Sequence, residues 1–274
     1  MNILEHDTLS KNYQQEFKER GYIILRNFFS EEEIDRLFEE INITAANKKD
    51  DPLNKGALNF YSNLFLHSQK LQAFISQPKL VDFLKQIVGP DFWVRWDQAV
   101  AKRPGAPTFP WHQDNGYSQL KEEYYQLWIA LTEMTSENGG LWLTPGSHKR
   151  FLPHKKVDNH MVYQGTPDNP VFIEAKPGDV VLFSSFILHS TTPNITQDSR
   201  WAYVVEYMPL DNFDPDITPP YFVIARDGKP QPEFVNFYRG QLNIINQLKY
   251  LGFTPRLKKL APNWLKKMVM KGVR

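Results

Sequence analysis

The stretch KPGDVVLFSSFILHSTTPN (residues 176–194) decides the fold class. Its continuous apolar run, residues 180–188, predicts a buried strand, and His189 follows that run directly. An upstream motif, WHQD, contains His112 and Asp114, which would point to the same side of an extended segment. Two histidines and one carboxylate are the ligand set that a non-haem Fe(II) ion accepts while keeping coordination positions open.

Further short apolar segments surround this stretch. Strands are predicted at 22–25, 92–102, 125–131, 140–144, 171–174, 180–188 and 201–208. Asn138-Gly139-Gly140, Pro145-Gly146 and Pro177-Gly178 supply turns between them. Many short strands separated by turns predict a mainly β protein with flanking helices (α+β), built on an antiparallel jelly roll.

The flanking segments have helical patterns. Helices are predicted at 8–20, from Ser30 onward, as two short pieces within 68–89 split at Pro78, and at about 232–252. Ser30 and Glu33 form a capping box before an apolar stripe. We therefore expect a single domain over 1–274, with its core at about 90–210, a helical flank at about 8–89 and a basic helical extension at about 232–274.

Two segments are predicted to be irregular loops. The first, at 46–58, is polar and is either a lid over the site or a plain surface loop. The second, at 103–110, contains three prolines and leads to the WHQD motif. The stretches at about 46–66, 103–110, 150–170 and 210–235 are all predicted to be irregular, and none contains a motif that identifies a substrate.

The amino-acid composition limits the classes of protein and of metal site that are possible. The 274 residues are 41% hydrophobic and include no cysteine, which excludes disulfides and thiolate metal sites. Nine basic and no acidic residues follow Glu233, so the preceding part has 23 basic against 31 acidic residues, a charge of −8. This distribution of charge over the whole chain does not indicate a nucleic-acid-binding protein. The sequence also has no apolar run of membrane-spanning length and no secretory signal, so we expect a cytoplasmic protein.

Four blocks of the sequence resemble the phytanoyl-CoA dioxygenase-like family of Fe(II)/2-oxoglutarate oxygenases. In order they are WHQD (111–114), LWIALTEMTSENGGLWLTPGSHK (127–149), KPGDVVLFSSFILHSTTPN (176–194) and RWAYVVEYMP (200–209). The segment FKERGYIILRNFFSEEEIDRLFEEI (17–41) is similar to the opening of that family. The resemblance covers most of residues 17–210 and implies a double-stranded β-helix (cupin-like) fold.

The resemblance also implies roles for single residues. His112, Asp114 and His189 would bind Fe(II), and Arg200, eleven residues after His189, would bind the distal carboxylate of 2-oxoglutarate through its planar fork of donors. Thr191 would donate a hydroxyl to the same carboxylate. O2 would be the third reactant, with succinate and CO2 as coproducts. A carboxylate at position 114, where related halogenases have a small residue, implies hydroxylation.

Three further residues have two interpretations each. Trp128 either packs beside 2-oxoglutarate, as the resemblance implies, or belongs to the core. Gln98 and Lys102 share one face of the strand at 92–102, and that face either contacts an acidic ligand or is an exposed rim. His67, His154 and His160 lack a supporting motif and are predicted to lie on the surface.

The sequence predicts a hydroxylase of a small-molecule or lipid-like metabolite. One alternative is a cupin-like metalloprotein that does not turn over 2-oxoglutarate, either an isomerase or a binding module. Another makes the basic tail an anchor for an anionic membrane, because residues 257–271 combine lysines with Leu, Trp and Met. We favour instead a tail helix packed on the acidic body of the protein.

Overall fold

The computed structural model describes residues 12–46, 54 and 56–243. The helices are α1 (Tyr13–Arg20), α2 (Glu31–Ala46), α3 (Gln69–Ile75), α4 (Pro78–Leu84), α5 (Asn115–Ser118) and α6 (Arg239–Leu242). The strands are β1 (Tyr22–Leu25), β2 (Leu58–Ser62), β3 (Phe92–Lys102), β4 (Phe109–His112), β5 (Tyr125–Ala130), β6 (Leu141–Thr144), β7 (His154–Val157), β8 (His160–Tyr163), β9 (Val171–Ile173), β10 (Val180–Ser184), β11 (Leu188–Thr191), β12 (Arg200–Pro209), β13 (Tyr221–Arg226) and β14 (Lys229–Val235).

Two antiparallel sheets face each other. The larger has eight strands in the order β1-β10-β5-β12-β3-β13-β14, with β2 also paired to β3. The smaller has four strands in the order β4-β11-β6-β9, and β7 and β8 form a separate hairpin. This double sheet with flanking helices confirms the predicted jelly-roll fold class.

Both faces of the larger sheet bury apolar side chains. Its outer face packs against the helices through residues such as Leu127, Ile129 and Val205. Its inner face packs against the smaller sheet through residues such as Trp128 and Val204. Because one face is sealed by helices, the inner face is the side on which a cavity forms between the sheets.

Local interactions explain where the first helices begin and end. The Asn12 side chain accepts a hydrogen bond from the Gln15 N–H at the start of α1, and Gly21 ends that helix with φ +81°. The predicted capping box of α2 is confirmed, because Glu33 N–H donates to Ser30 Oγ (3.3 Å) and Ser30 N–H donates to Glu33 Oε2 (2.9 Å).

The apolar run 180–188 is two strands rather than the predicted one. β10 ends at Ser184, a turn closed by the Ile187 N–H to Ser184 C=O bond (2.9 Å) follows, and β11 begins at Leu188. β10 lies in the larger sheet and β11 in the smaller. Apolarity does not reveal the turn because Ile187 is buried like its neighbours. The chain therefore changes sheets immediately before His189.

Other boundaries also differ from the prediction. Strand β4 begins at Phe109, inside the predicted loop 103–110. Strands β2, β7, β8, β13 and β14 occupy stretches predicted to be irregular. The helix predicted from about 232 is wrong up to Val235, where β14 ends, and in the described part of the chain after β14, up to residue 243, α6 is the one helix. Most of the candidate lid, 47–53 and 55, and the basic tail from 244 onward lie outside the described residues.

No helix among the described ranges is long and apolar enough to span a membrane. The single-domain organisation, with its core and two flanks, stays a prediction.

Two glycines with similar backbone angles provide a matched test of the fold. A Cβ on Gly178 (φ +90°) would lie 2.2 Å from the Phe29 carbonyl oxygen, whereas a Cβ on Gly105 (φ +79°) meets nothing within 4 Å. We expect Gly105→Ala to reduce the free energy of unfolding by about 1–2 kcal/mol, the cost of the left-handed conformation. Gly178→Ala should cost more, because the Phe29 N–H donates to the Gly178 carbonyl and backbone must move. Urea unfolding measures the free energy of unfolding of both variants. An equal loss of that free energy in the two variants would contradict the prediction.

Candidate active site

Sheet register places the two histidines side by side. His112 ends β4 and His189 lies in β11, and the two residues are direct partners in the antiparallel pairing. Their ring centroids are 4.1 Å apart, and both side chains are buried. His189 is therefore adjacent to His112 in space although the two residues are far apart in the sequence.

Asp114 reaches the histidines by a different route from the predicted one. It is not in an extended segment, because it lies beyond the end of β4 with φ −62° and ψ −33°, at the start of α5. Its Oδ1 is 3.3 Å from His112 Nε2, and its Oδ2 is 3.6 Å from His189 Nε2. The three side chains form a cluster of metal-ligating groups whose donor atoms all lie within 4.8 Å of one another.

The hydrogen bonds of the histidines fit metal ligation. His112 Nδ1 lies 2.8 Å from the Pro110 carbonyl and His189 Nδ1 lies 3.1 Å from the Ile187 carbonyl. A carbonyl only accepts, so each Nδ1 carries the proton and each Nε2 keeps its lone pair for a metal. Burial lowers the pKa of His189 to about 4, which keeps it neutral at neutral pH. Burial alone would raise the pKa of Asp114, but the two histidines lower it below its usual value.

Gln113 anchors the segment between the two upstream ligands. Its side chain is fully buried, accepts from the Leu152 N–H (2.8 Å), and donates to the Arg150 (2.9 Å) and Phe186 carbonyls. Its backbone N–H donates to His154 Nε2 at 3.0 Å. The prediction that His154 is a surface residue is therefore wrong, because its half-buried ring holds the WHQD turn in place.

Two cations lie buried at one end of the cavity. Arg200 and Lys102 are direct partners across β12 and β3, with exposed fractions of 2% and 0%. Lys102 Nζ donates to Thr191 Oγ1 (2.9 Å), and Arg200 donates to the Gly139 carbonyl (2.6 Å), which leaves Arg200 Nε without a partner. Among the described residues, no carboxylate forms an ion pair with either. Burial lowers the pKa of Arg200 to about 9, and burial with the neighbouring Arg200 lowers that of Lys102 to about 6.

The other end of the cavity contains an ionic network that the sequence did not reveal. The β3–β12 register shifts between Glu206 and Tyr207, which leaves Arg95 as the extra residue of a bulge. Arg95 consequently lines the cavity next to Trp96, lies 4.6 Å from the centre of the Tyr124 ring, and donates to Glu206 and Asp214. Burial raises the pKa of Glu206 to about 7 despite the arginine.

The cavity between the sheets has a volume of about 420 Å³ and brings most of the predicted residues together. His112, Asp114, His189, Arg200, Thr191, Trp128 and Gln98 line it. Lys102 does not line it but reaches Thr191 behind the wall. Gln98 is buried and donates to Ser62 Oγ (2.9 Å), so it is not on an exposed rim. His160, predicted to be a surface residue, also lines the cavity.

The family model described as "Phytanoyl-CoA dioxygenase (PhyH)" matches residues 17–202, more than half of the chain. The chain belongs to the phytanoyl-CoA dioxygenase family. Membership identifies it as a 2-oxoglutarate-dependent dioxygenase whose cofactors are Fe(II), 2-oxoglutarate and O2, as the sequence resemblance predicted.

Proteins that are similar to this chain have names that refer to different compounds. The ectoine dioxygenase of Bordetella parapertussis is 25% identical over 84% of this chain and 82% of its own length. The methylphosphonate hydroxylase of Gimesia maris is 28% identical over 76% of this chain and 84% of its own. The solved epimerase SnoN, in complex with Fe3+, alpha ketoglutarate and a nogalamycin, has a TM-score of 0.64 at 16% identity over 81% of this chain and 95% of its own. The last comparison shows a shared fold.

Proposed function

We propose that this phytanoyl-CoA dioxygenase family member hydroxylates a small polar molecule, with Fe(II) held by His112, Asp114 and His189. The observation that carries the proposal is the buried pair Arg200 and Lys102, which has no carboxylate partner among the described residues. Arg200 stays charged at neutral pH, and Lys102, whose pKa is lowered to about 6, would regain its proton beside an anion; a dicarboxylate cosubstrate supplies such an anion.

The surroundings of Arg200 fit the distal carboxylate of 2-oxoglutarate. The unpaired Nε and the planar guanidinium offer the fork of donors that a carboxylate accepts in two places. Thr191 adds a hydroxyl from β11, and Trp128, whose ring centre is 6.0 Å from the guanidinium carbon, provides an apolar wall. 2-Oxoglutarate bound there would extend over Trp128 toward the histidines.

Bound iron would supply the O2 activation that couples decarboxylation of 2-oxoglutarate to oxidation of the substrate. The residues of the chain do the positioning. The two Nε2 lone pairs and the Asp114 carboxylate occupy three coordination positions and leave the others open. The inward-facing apolar side chains of both sheets keep water away from the reacting centre.

The substrate would occupy the cavity end lined by Arg95 and Glu206. Arg200 and Glu206 are six residues apart on β12, about 20 Å along the strand, so the two ends can hold two molecules. A volume of about 420 Å³ is at the low end for ligand pockets and must accommodate the cosubstrate as well. This favours a small polar substrate over the lipid-like one that the sequence left open.

A cupin-like metalloprotein that does not turn over 2-oxoglutarate remains the alternative. It would need the triad but would have no use for Arg200 and Lys102 as buried, unpaired cations. Cytoplasmic location and the packed or anchoring role of the tail stay predictions.

Arg200→Ala tests the assignment directly. The variant should bind Fe(II) like the wild type but bind 2-oxoglutarate about ten- to a hundredfold more weakly, because a charge-assisted bidentate contact is lost. Arg200→Lys should recover only part of the affinity. Anaerobic titration of the Fe(II) protein with 2-oxoglutarate measures both, and His189→Ala, which should not bind Fe(II), is the converse control. Equal 2-oxoglutarate affinity in wild type and Arg200→Ala would contradict the proposal.

Lys102 should make cosubstrate binding depend on pH. Its pKa of about 6 in the free protein should rise when an anion binds beside it, so binding takes up a proton above that pH. The affinity for 2-oxoglutarate should therefore fall, by up to about tenfold per pH unit, as the pH rises above 6. Lys102→Met keeps most of the side-chain volume and should flatten this dependence. Titrations across that pH range in both proteins measure it, and identical slopes would exclude Lys102 as the cause.

A succinate-release screen tests the substrate class. Supplied with Fe(II), 2-oxoglutarate and O2, the protein should release succinate faster with small polar molecules than with long-chain acyl compounds, because the cavity volume of about 420 Å³ must also hold the cosubstrate. Arg95→Gln should reduce the stimulated rate while leaving 2-oxoglutarate affinity unchanged, since Arg95 lies at the far end from Arg200. Preferential stimulation by long-chain compounds would contradict the size argument.

A further inference from the structure

Asp114 is the candidate iron ligand that the sheets do not position. His112 and His189 are fixed by strand pairing, whereas Asp114 lies in the turn after β4. Backbone hydrogen bonds from Tyr117 N–H to the Asp114 carbonyl (3.0 Å) and from Gly116 N–H to the Gln113 carbonyl (2.8 Å) hold the turn but leave the carboxylate free to rotate. The orientation of that carboxylate therefore has to come from a side-chain contact.

Gln126 makes this contact from the opposite sheet. It lies in β5 with 6% of its surface exposed, and its side-chain nitrogen Nε2 donates to Asp114 Oδ2. The same nitrogen donates to Glu206 Oε1 at 3.3 Å, and Gln126 and Glu206 are direct partners in the β5–β12 pairing. Apart from the two histidines, Gln126 is the side chain that contacts the Asp114 carboxylate among the described residues.

We propose that Gln126 is a positioning residue that orients Asp114 so that Oδ1 binds the metal, while Oδ2 accepts the hydrogen bond from Gln126 and does not bind the metal. The inference rests on the proposed iron site but goes beyond it, because it assigns the shape of the site to a residue that is not itself a ligand. A carboxylate that ligates through one oxygen occupies one coordination position. The remaining positions then stay open for 2-oxoglutarate and O2.

An amide is suited to this place for a chemical reason. Its NH2 group carries two hydrogens, so it can donate to Asp114 and Glu206 at once. A glutamate at 126 would add a third carboxylate beside those two, and a lysine would compete with the metal for the charge of Asp114. Glu206 is in turn held by Arg95, which also binds Asp214, so the far side of Gln126 is anchored.

The test compares Fe(II) affinity without 2-oxoglutarate, measured anaerobically, in wild type, Gln126→Leu and Gln126→Met. Loss of an outer contact to a ligand should weaken Fe(II) binding by about 10–100-fold. Gln126→His, which keeps an N–H donor at similar reach, should recover part of the affinity. The matched control is Gln98→Leu, which removes a cavity-facing amide that bonds to Ser62 instead of Asp114, and its Fe(II) affinity should equal that of wild type.

The charge-transfer absorption of the anaerobic Fe(II)–2-oxoglutarate complex provides a second readout. It should shift in Gln126→Leu relative to wild type, because the band depends on how Asp114 ligates the metal. If circular dichroism shows that Gln126→Leu is unfolded, the flexible Gln126→Met variant decides. Wild-type Fe(II) affinity together with an unshifted band in a folded Gln126 variant would overturn the inference. Failure of 2-oxoglutarate to bind wild type would overturn the proposed function alone, since the Fe(II) measurement does not depend on it.

Discussion

Two basic side chains placed directly opposite each other in an antiparallel pair disfavour each other's charged forms, and Arg200 faces Lys102 in this way inside the protein. Among the described residues, no carboxylate compensates either side chain, and the 2-oxoglutarate site proposed above rests on this lack of compensation. The two-sheet architecture makes this arrangement workable. Helices seal the outer face of the larger sheet, so the charged strip on β3 and β12 faces a cavity closed on its other side by the smaller sheet.

Other strands contribute the remaining polar side chains of the cavity. The smaller sheet contributes His112 and His189 through a single register, and the far end of β12 contributes Glu206, which neutralises Arg95. The two ends of the cavity therefore differ in charge: Arg200 and Lys102 have no carboxylate partner among the described residues at one end, whereas Arg95 pairs with Glu206 and Asp214 at the other.

The sequence was sufficient for features that depend on neighbours along the chain. The capping box at Ser30 and Glu33 is such a feature, and the sequence blocks that resemble the family predicted the cluster of His112, Asp114 and His189 without knowledge of which strands pair. The features that it missed depend on pairing across sheets. The bulge that turns Arg95 into the cavity exists only because β3 and β12 slip in register, and the break between β10 and β11 is hidden in an apolar run.

Gln126 is an example of a residue whose contacts cannot be predicted from the sequence because they depend on the packing of two sheets. In the sequence it is one polar residue in an otherwise apolar strand, and propensity gives it no role. In the structure it lies between Asp114 and Glu206, which would otherwise be two carboxylates facing each other in a buried space. A neutral donor at this point lowers their repulsion without cancelling the charge that Asp114 must offer to a cation. The requirement for an uncharged hydrogen-bond donor at position 126 therefore arises where the two sheets pack against each other. It restricts the choice of residue at this position more than strand propensity does.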